Sequence, residues 1–265
     1  MLATRAIERI RESIGYRELL RNLVVRDLKV RYQSSVLGFL WSLLNPLLMM
    51  AVFTLVFTVM MPNNKIEHFP AFILCALLPW NWFTSATMGS ISSIVGNANL
   101  VKKVYFPREL LPVSVVVSNG VNFLLALIVL FGLIFALGVP LRPTIVLLPA
   151  VIIIQALFLL GVALFLSALN VFFRDTEVIM EVLILAWFFL TPIFYDIKML
   201  FPAYERLLYW LNPMASIISS YRLILLNGSW PALDFMLRTF GISLVALVVG
   251  YLFFVRLSPL FGEEL

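Results

Sequence analysis

Four stretches of this chain hold no Asp, Glu, Lys or Arg: Val36 to Asn64, His68 to Val101, Leu110 to Leu141 and Pro143 to Phe173. Each is longer than the roughly 20 residues an α-helix needs to cross the hydrocarbon core of a bilayer. A soluble fold has no place for four such runs. The composition agrees, with 62% hydrophobic and 12% charged residues, where soluble domains carry roughly a quarter charged. An all-α polytopic membrane protein is predicted, because in lipid a helix satisfies every backbone polar group within its own segment.

Six spans follow from the hydropathy: about Val36–Met60, Pro70–Val95, Leu111–Leu137, Thr144–Val171, Val178–Phe194 and Phe235–Val255. Basic residues in short loops favour the cytoplasmic side. With both termini inside, thirteen of the 19 Lys and Arg residues fall on the inner face and six on or near the outer face. Arg222 and Arg238 weigh against this layout, since each must snorkel or line a cavity beside apolar sequence. The net charge of +5 sits at span ends and in the amino-terminal tail, where it faces lipid headgroups; nucleic acid is not an expected partner.

Residues 1–33 form a cytoplasmic amphipathic region and 34–265 the six-span domain. Tyr16, Leu19, Leu20, Leu23, Val24 and Leu28 recur at helical spacing, while Arg17, Glu18, Arg21, Asn22 and Lys29 lie off that stripe. Such a helix rests in the membrane interface; a helix packed on another subunit is the alternative. It cannot span, because Arg21, Arg26, Asp27, Lys29 and Arg31 would have to be desolvated. No signal-peptide plan is seen, since the chain is charged throughout from Met1 to Tyr32.

Between the second and third spans lies a polar interruption, Asn97 to Pro112, with Lys102, Lys103 and Arg108 against one acid, Glu109. Tyr105 and Phe106 set aromatic surface beside this charge. Pro107 and Pro112 argue against one continuous helix. The segment is expected to be a short helix across the inner membrane face, suited to a soluble partner; a plain cytoplasmic loop with interfacial aromatics is the other reading. A second interruption, 196–230, contains apolar pieces too short to cross, broken by Pro202, Asn212-Pro213 and Asn227-Gly228. Two short re-entrant helices at the outer face meet these limits if protein surrounds their broken backbone.

No span carries the dense Asp, Glu or His set that proton coupling or intramembrane hydrolysis needs, and no phosphate-loop motif is present. No catalytic or metal-binding residue is expected. His68 has no second ligand beside it, and Cys75, the lone cysteine, has no partner for an intrachain disulfide. Energy for any transport would come through another protein.

Several pieces occur in a family order: Arg26-Asp27-Leu28-Lys29-Val30-Arg31-Tyr32, then Leu37 to Pro46, then Leu77 to Phe83, then Asn97 to Pro112, then Leu169 to Asp175, then Thr191 to Tyr195, and last Asn212-Pro213 with Arg222. Together they resemble the ABC-transporter permeases that export O-antigen, capsule and teichoic-acid polysaccharides. Thr191 stands where that family would favour Ser. The resemblance implies a homodimeric permease in the bacterial inner membrane, paired with two copies of an ATPase that holds the ATP and Mg, and moving a lipid-linked polysaccharide.

It further implies coupling to the ATPase through Asn99, Lys102, Lys103, Tyr105, Phe106, Pro107, Arg108 and Glu109. The implied interface helix holds Arg21, Arg26, Lys29, Arg31 and Tyr32, and the outer gate Asn212, Pro213 and Arg222. Since sugars stack on aromatic rings, Trp80, Trp82, Phe83, Trp187, Phe188 and Tyr195, with Asn119, are candidate channel-lining residues. A permease for a drug or small lipid, a membrane-embedded enzyme acting on lipid carriers, and a scaffold without transport are the rivals.

Overall fold

A computed structural model describes residues 15–32, 38–57, 66–140, 142–197 and 202–265. Among them the regular elements are all helical. In chain order they are α1 (Arg17–Tyr32), α2 (Trp41–Leu55), α3 (Phe69–Ile91), α4 (Ala98–Lys103), α5 (Leu110–Ala136), α6 (Leu148–Phe172), α7 (Thr176–Leu190), α8 (Glu205–Leu211), α9 (Pro213–Leu225), α10 (Leu233–Leu257) and α11 (Phe261–Glu264). Among the described residues four segments are long and apolar enough to cross a membrane: Phe69–Ile91, Leu110–Ala136, Pro143–Phe172 and Leu233–Glu264. The chain is a polytopic membrane protein.

Helix α3 is the axis of the bundle. It packs against α2, α5, α6, α7 and α9, and every residue from Ala71 to Trp80 is buried. No charge interrupts it, so burial all round costs no ion desolvation. Pro70 opens it, where a missing N–H is harmless. Pro79 lies inside it, and the Pro79 carbonyl accepts a 2.8 Å hydrogen bond from Gln155 Nε2 of α6. The Gln155 Oε1 accepts in turn from the Tyr221 hydroxyl of α9 at 2.9 Å. This buried chain of polar groups ties three helices together without leaving a donor or acceptor of Gln155 to lipid.

Helices α6 and α10 form the most extensive pair. They meet at Gly161 and Gly250: a methyl on Gly161 would lie 2.5 Å from the Leu247 backbone nitrogen, and one on Gly250 would lie 2.8 Å from the Gly161 carbonyl carbon. Only glycine lets the two backbones touch, and in lipid such contact replaces the hydrophobic drive that water would supply.

The expected fifth span is shorter as a helix, with 15 residues in α7. Of the expected first span, residues 38–57 are helical, 15 of them in α2, and its expected ends at Val36 and Met60 lie outside the described residues. Helix α7 stops at Leu190 instead of Phe194, because Pro192 disfavours helical backbone at Thr191, which is extended. In the expected sixth-span region α10 begins two residues early, at Leu233, and runs to Leu257.

Candidate functional site: an exposed basic loop, a polar groove and a buried arginine

The Asn97–Pro112 segment is built as expected in outline. Helix α4 takes Ala98–Lys103, Val104 turns extended, and α5 starts at Leu110. Pro107 falls in the break between helices. Pro112 does not break α5, since it sits in the first turn, whose N–H groups have no intrahelical acceptor.

The side chains of this loop divide sharply. Asn99, Lys102, Lys103 and Tyr105 are exposed, Tyr105 at 82%. Phe106 is only 6% exposed, Pro107 and Glu109 are buried, and Arg108 is half-buried. Val101 and Phe106 enter an apolar cluster with Leu23 of α1, Leu110 and Leu111 of α5, Leu164 and Val171 of α6, Phe254 of α10 and Phe261 of α11. The loop thus does two jobs: Lys102, Lys103 and Tyr105 face outward from the protein, and Val101 and Phe106 anchor it.

Helix α1 is fastened to the same region, and it packs on α5 of its own chain. Arg26 Nη2 and Nε meet Asp27 Oδ1 at 3.0 and 3.2 Å, and its Nη1 donates to Asn97 Oδ1 at 3.2 Å. Ser114 of α5 donates to Asp27 Oδ2 at 3.3 Å. Arg21, Lys29 and Arg31 are exposed; the Tyr32 side chain lies outside the described set. Glu18 in the first turn and Lys29 and Arg31 in the last complement the helix dipole.

A groove of about 540 Å³ runs between α2, α3 and α5. Its wall holds two indoles, Trp41 and Trp82, and four carboxamides, Asn45, Asn81, Asn119 and Asn122, with Ser85 and, from the end of α1, Arg31. Trp82 is held flat against α5: its indole N–H donates to the Val116 carbonyl at 3.1 Å, and its ring stacks on Phe123 at 4.9 Å. Gly120 makes room for it, since a methyl there would lie 3.0 Å from Trp82 Cζ2. Asn119 Nδ2 donates to the Val115 carbonyl at 2.8 Å.

Of the candidate lining residues, Trp82 and Asn119 border this groove. Trp80, Phe83, Trp187 and Phe188 belong instead to one aromatic cluster, with centroid distances of 5.2 Å for Trp80 and Phe83, 5.0 Å for Phe83 and Trp187, and 5.5 Å for Trp80 and Phe188. Tyr195 is half-buried. Sequence reasoning missed Trp41, Asn45, Asn81 and Ser85 as one wall, because they come from two separate runs. The available signal was a carboxamide or indole in each run where apolar residues would suffice.

Beyond α7, the Asn212 oxygen caps α9, accepting from the Ala215 N–H at 3.1 Å and from the Trp187 indole at 2.9 Å. Its amide donates to Thr191 Oγ1 at 2.9 Å. Pro213 follows as the first residue of α9. Arg222, 8% exposed, donates to the carbonyls of Pro192 at 2.5 Å, Ile193 at 2.7 Å and Phe72 at 3.3 and 3.4 Å. Its guanidinium carbon lies 3.4 Å from the Phe72 ring centroid. The arginine that weighed against the topology is thus consumed in satisfying the backbone broken by Pro192. Among the described residues no three His, Cys, Asp or Glu side chains gather as metal ligands.

The family model for the ABC-2 type transporter matches residues 18–226. That range holds α1 through α9 and most of the chain. The chain belongs to the ABC-2 type transporter family. Among curated relatives of this ABC-2 permease, the O-antigen export system permease protein RfbA of Myxococcus xanthus is 40% identical over 266 residues, covering 98% of this chain and 100% of the relative. Its namesake from Klebsiella pneumoniae is 34% identical over 263 residues, covering 97% and 99%. The polysialic acid transport protein KpsM of Escherichia coli is more distant, at 23% over 215 residues, covering 78% and 80%. The ABC-2 permease is accordingly a transporter component and not an enzyme.

Proposed function

We propose that this permease is the transmembrane subunit of an ATP-driven exporter that moves a lipid-linked polysaccharide of the O-antigen type outward across the bacterial inner membrane. It works as a homodimer with six spans per copy, α2 and α7 lying in the first and fifth. Two copies of a separate ATPase supply ATP and Mg chemistry and engage the surface of Lys102, Lys103 and Tyr105. Two copies suit the exposed apolar face of α7, where Val178, Val182, Leu185 and Phe189 point away from the chain's own core.

The observation that carries the substrate class is the groove. A sugar ring offers an apolar face for stacking on indole and hydroxyls that pair with carboxamides, and a chain of repeating sugars asks for this mixture over and over. A groove for a drug or small lipid would need far fewer carboxamides. Arg31 at the groove's edge places a cation where the phosphate of a lipid carrier would arrive.

The test is export in cells whose own permease has been deleted. Replacing Trp41 by Ala together with Asn45 and Asn81 by Leu should cut surface polysaccharide about tenfold or more, the effect of losing stacking and two hydrogen bonds. Membrane insertion and recovery with the ATPase should stay normal. Full export from that variant rejects the groove as the path.

A further inference from the structure

Helix α4 has six residues, far below the length at which a helix holds together in isolation. Its position is therefore set by what stands behind it. Behind it stands the segment after α10. Helix α11 packs against both α4 and α6. Its Phe261 is fully buried, with ring centroids 6.1 Å from Phe172 of α6 and 5.4 Å from Phe254 of α10. Arg108 donates through Nη1 to the Ser258 carbonyl at the end of α10, which also accepts from the Phe261 N–H, so that one oxygen joins the loop to the turn. Ser258 and Pro259 also form one wall of a small cavity of about 110 Å³ whose other wall is Val104 to Glu109.

From this arrangement we infer that the turn Ser258–Glu264 is a strut: it holds the Asn97–Arg108 loop in register and passes displacement of that loop into α10. Arg108 and Phe261 are its positioning residues: the resemblance counts Arg108 among the ATPase contacts, but its guanidinium is half-buried and bonded to Ser258, which leaves Lys102, Lys103 and Tyr105 as the contact. The inference rests on the loop being the ATPase contact. A push on α4 cannot be absorbed by bending, because Phe106 and Phe261 share one packed cluster, and close-packed interiors transmit displacement. The end of α10 moves with it. The glycine contact between Gly161 and Gly250 then makes α6 and α10 move as a pair. Without the strut the loop would still present Lys102, Lys103 and Tyr105, but its motion would pass to α3 and α5, which it joins, and not through the turn to α10.

The experiment uses the purified permease with its ATPase and, in parallel, cells deleted for the native permease. Three variants are compared: a chain ending at Pro259, Arg108→Ala, and Arg108→Lys, whose ammonium can still donate to the Ser258 carbonyl. Recovery of the ATPase and ATP turnover should stay within about twofold of wild type, while export per ATP hydrolysed should fall about fivefold in Arg108→Ala, the worth of one hydrogen bond, and further in the shortened chain. Arg108→Lys should restore most of it. Unchanged export per ATP in Arg108→Ala overturns the strut, as does loss of ATPase recovery, which would make the turn a part of the docking surface instead. If the shortened chain does not accumulate in the membrane, the Arg108 pair decides alone. A Lys102→Glu, Lys103→Glu variant that still recovers the ATPase would reject the loop as the contact, a different failure from that of the strut.

Discussion

Replacing Arg222 by Met keeps the length and apolar stem of the side chain and removes only the guanidinium. The geometry sets the cost. Two short bonds, to Pro192 at 2.5 Å and Ile193 at 2.7 Å, and a weaker shared pair to Phe72 disappear. Bonds from a charged donor are worth about 1.5–3 kcal/mol each, so the two short ones account for about 3–6 kcal/mol. Relief of burying an ion returns part of this, several kcal/mol in unfavourable settings. The two carbonyls beyond α7 nevertheless stay buried without a donor. A net loss of about 2–3 kcal/mol is expected, which for a chain of this size is a fall of roughly 4–12 °C in the unfolding midpoint. Arg222→Lys should recover about half, since an ammonium cannot reach the carbonyls on both sides of Arg222. The measurement is thermal unfolding of the detergent-solubilised permease, followed by tryptophan fluorescence. Trp187, bonded to Asn212 next to this knot, reports it directly. A midpoint within about 1 °C of wild type would refute the reasoning, because three backbone carbonyls cannot lose a charged donor for nothing.

Three further outcomes are expected. Gly161→Leu should separate α6 from α10 by on the order of 1 Å and cost about 3 kcal/mol or more; a normal unfolding midpoint would show that the two backbones do not touch. Asn170→Leu should loosen the inner end of α3, whose Ile91 carbonyl accepts from Asn170 Nδ2 at 3.0 Å, with a loss of about 1–2 kcal/mol and faster amide exchange there. A cysteine placed at Tyr105, which is 82% exposed, in a chain with Cys75 changed to Ser should react with a membrane-impermeant maleimide only in inverted vesicles; labelling from the periplasm of intact cells would reverse the topology.

How much was legible beforehand depends on whether a feature is local. Helix class, the break at Asn97–Pro112, and the short pieces on either side of Asn212-Pro213 all follow from hydropathy, proline and charge within a few residues. Phe106 and Tyr105 are neighbours with opposite fates, one buried and one exposed; no local pattern separates them, because the cluster that takes Phe106 is assembled from α1, α5, α6, α10 and α11. The candidate aromatics show the same limit. Trp82 borders the groove while Trp80, two residues away, packs among Phe83 and Phe188.

By itself the amino-acid sequence determined that this chain lives in a membrane, that it is helical, that a basic loop interrupts its apolar runs at Asn97–Pro112, and that it carries no phosphate-loop motif. Those properties depend on the free energy of moving charge and backbone into lipid, which is nearly additive along the chain. Only the tertiary structure decided that Arg222 closes the broken backbone beyond α7, that Trp41 and three asparagine-bearing helices share one groove, and that the turn after α10 stands behind the Asn97–Arg108 loop. These are meetings of residues up to 150 positions apart, and such meetings depend on which helix faces pack together, a choice that no single segment contains.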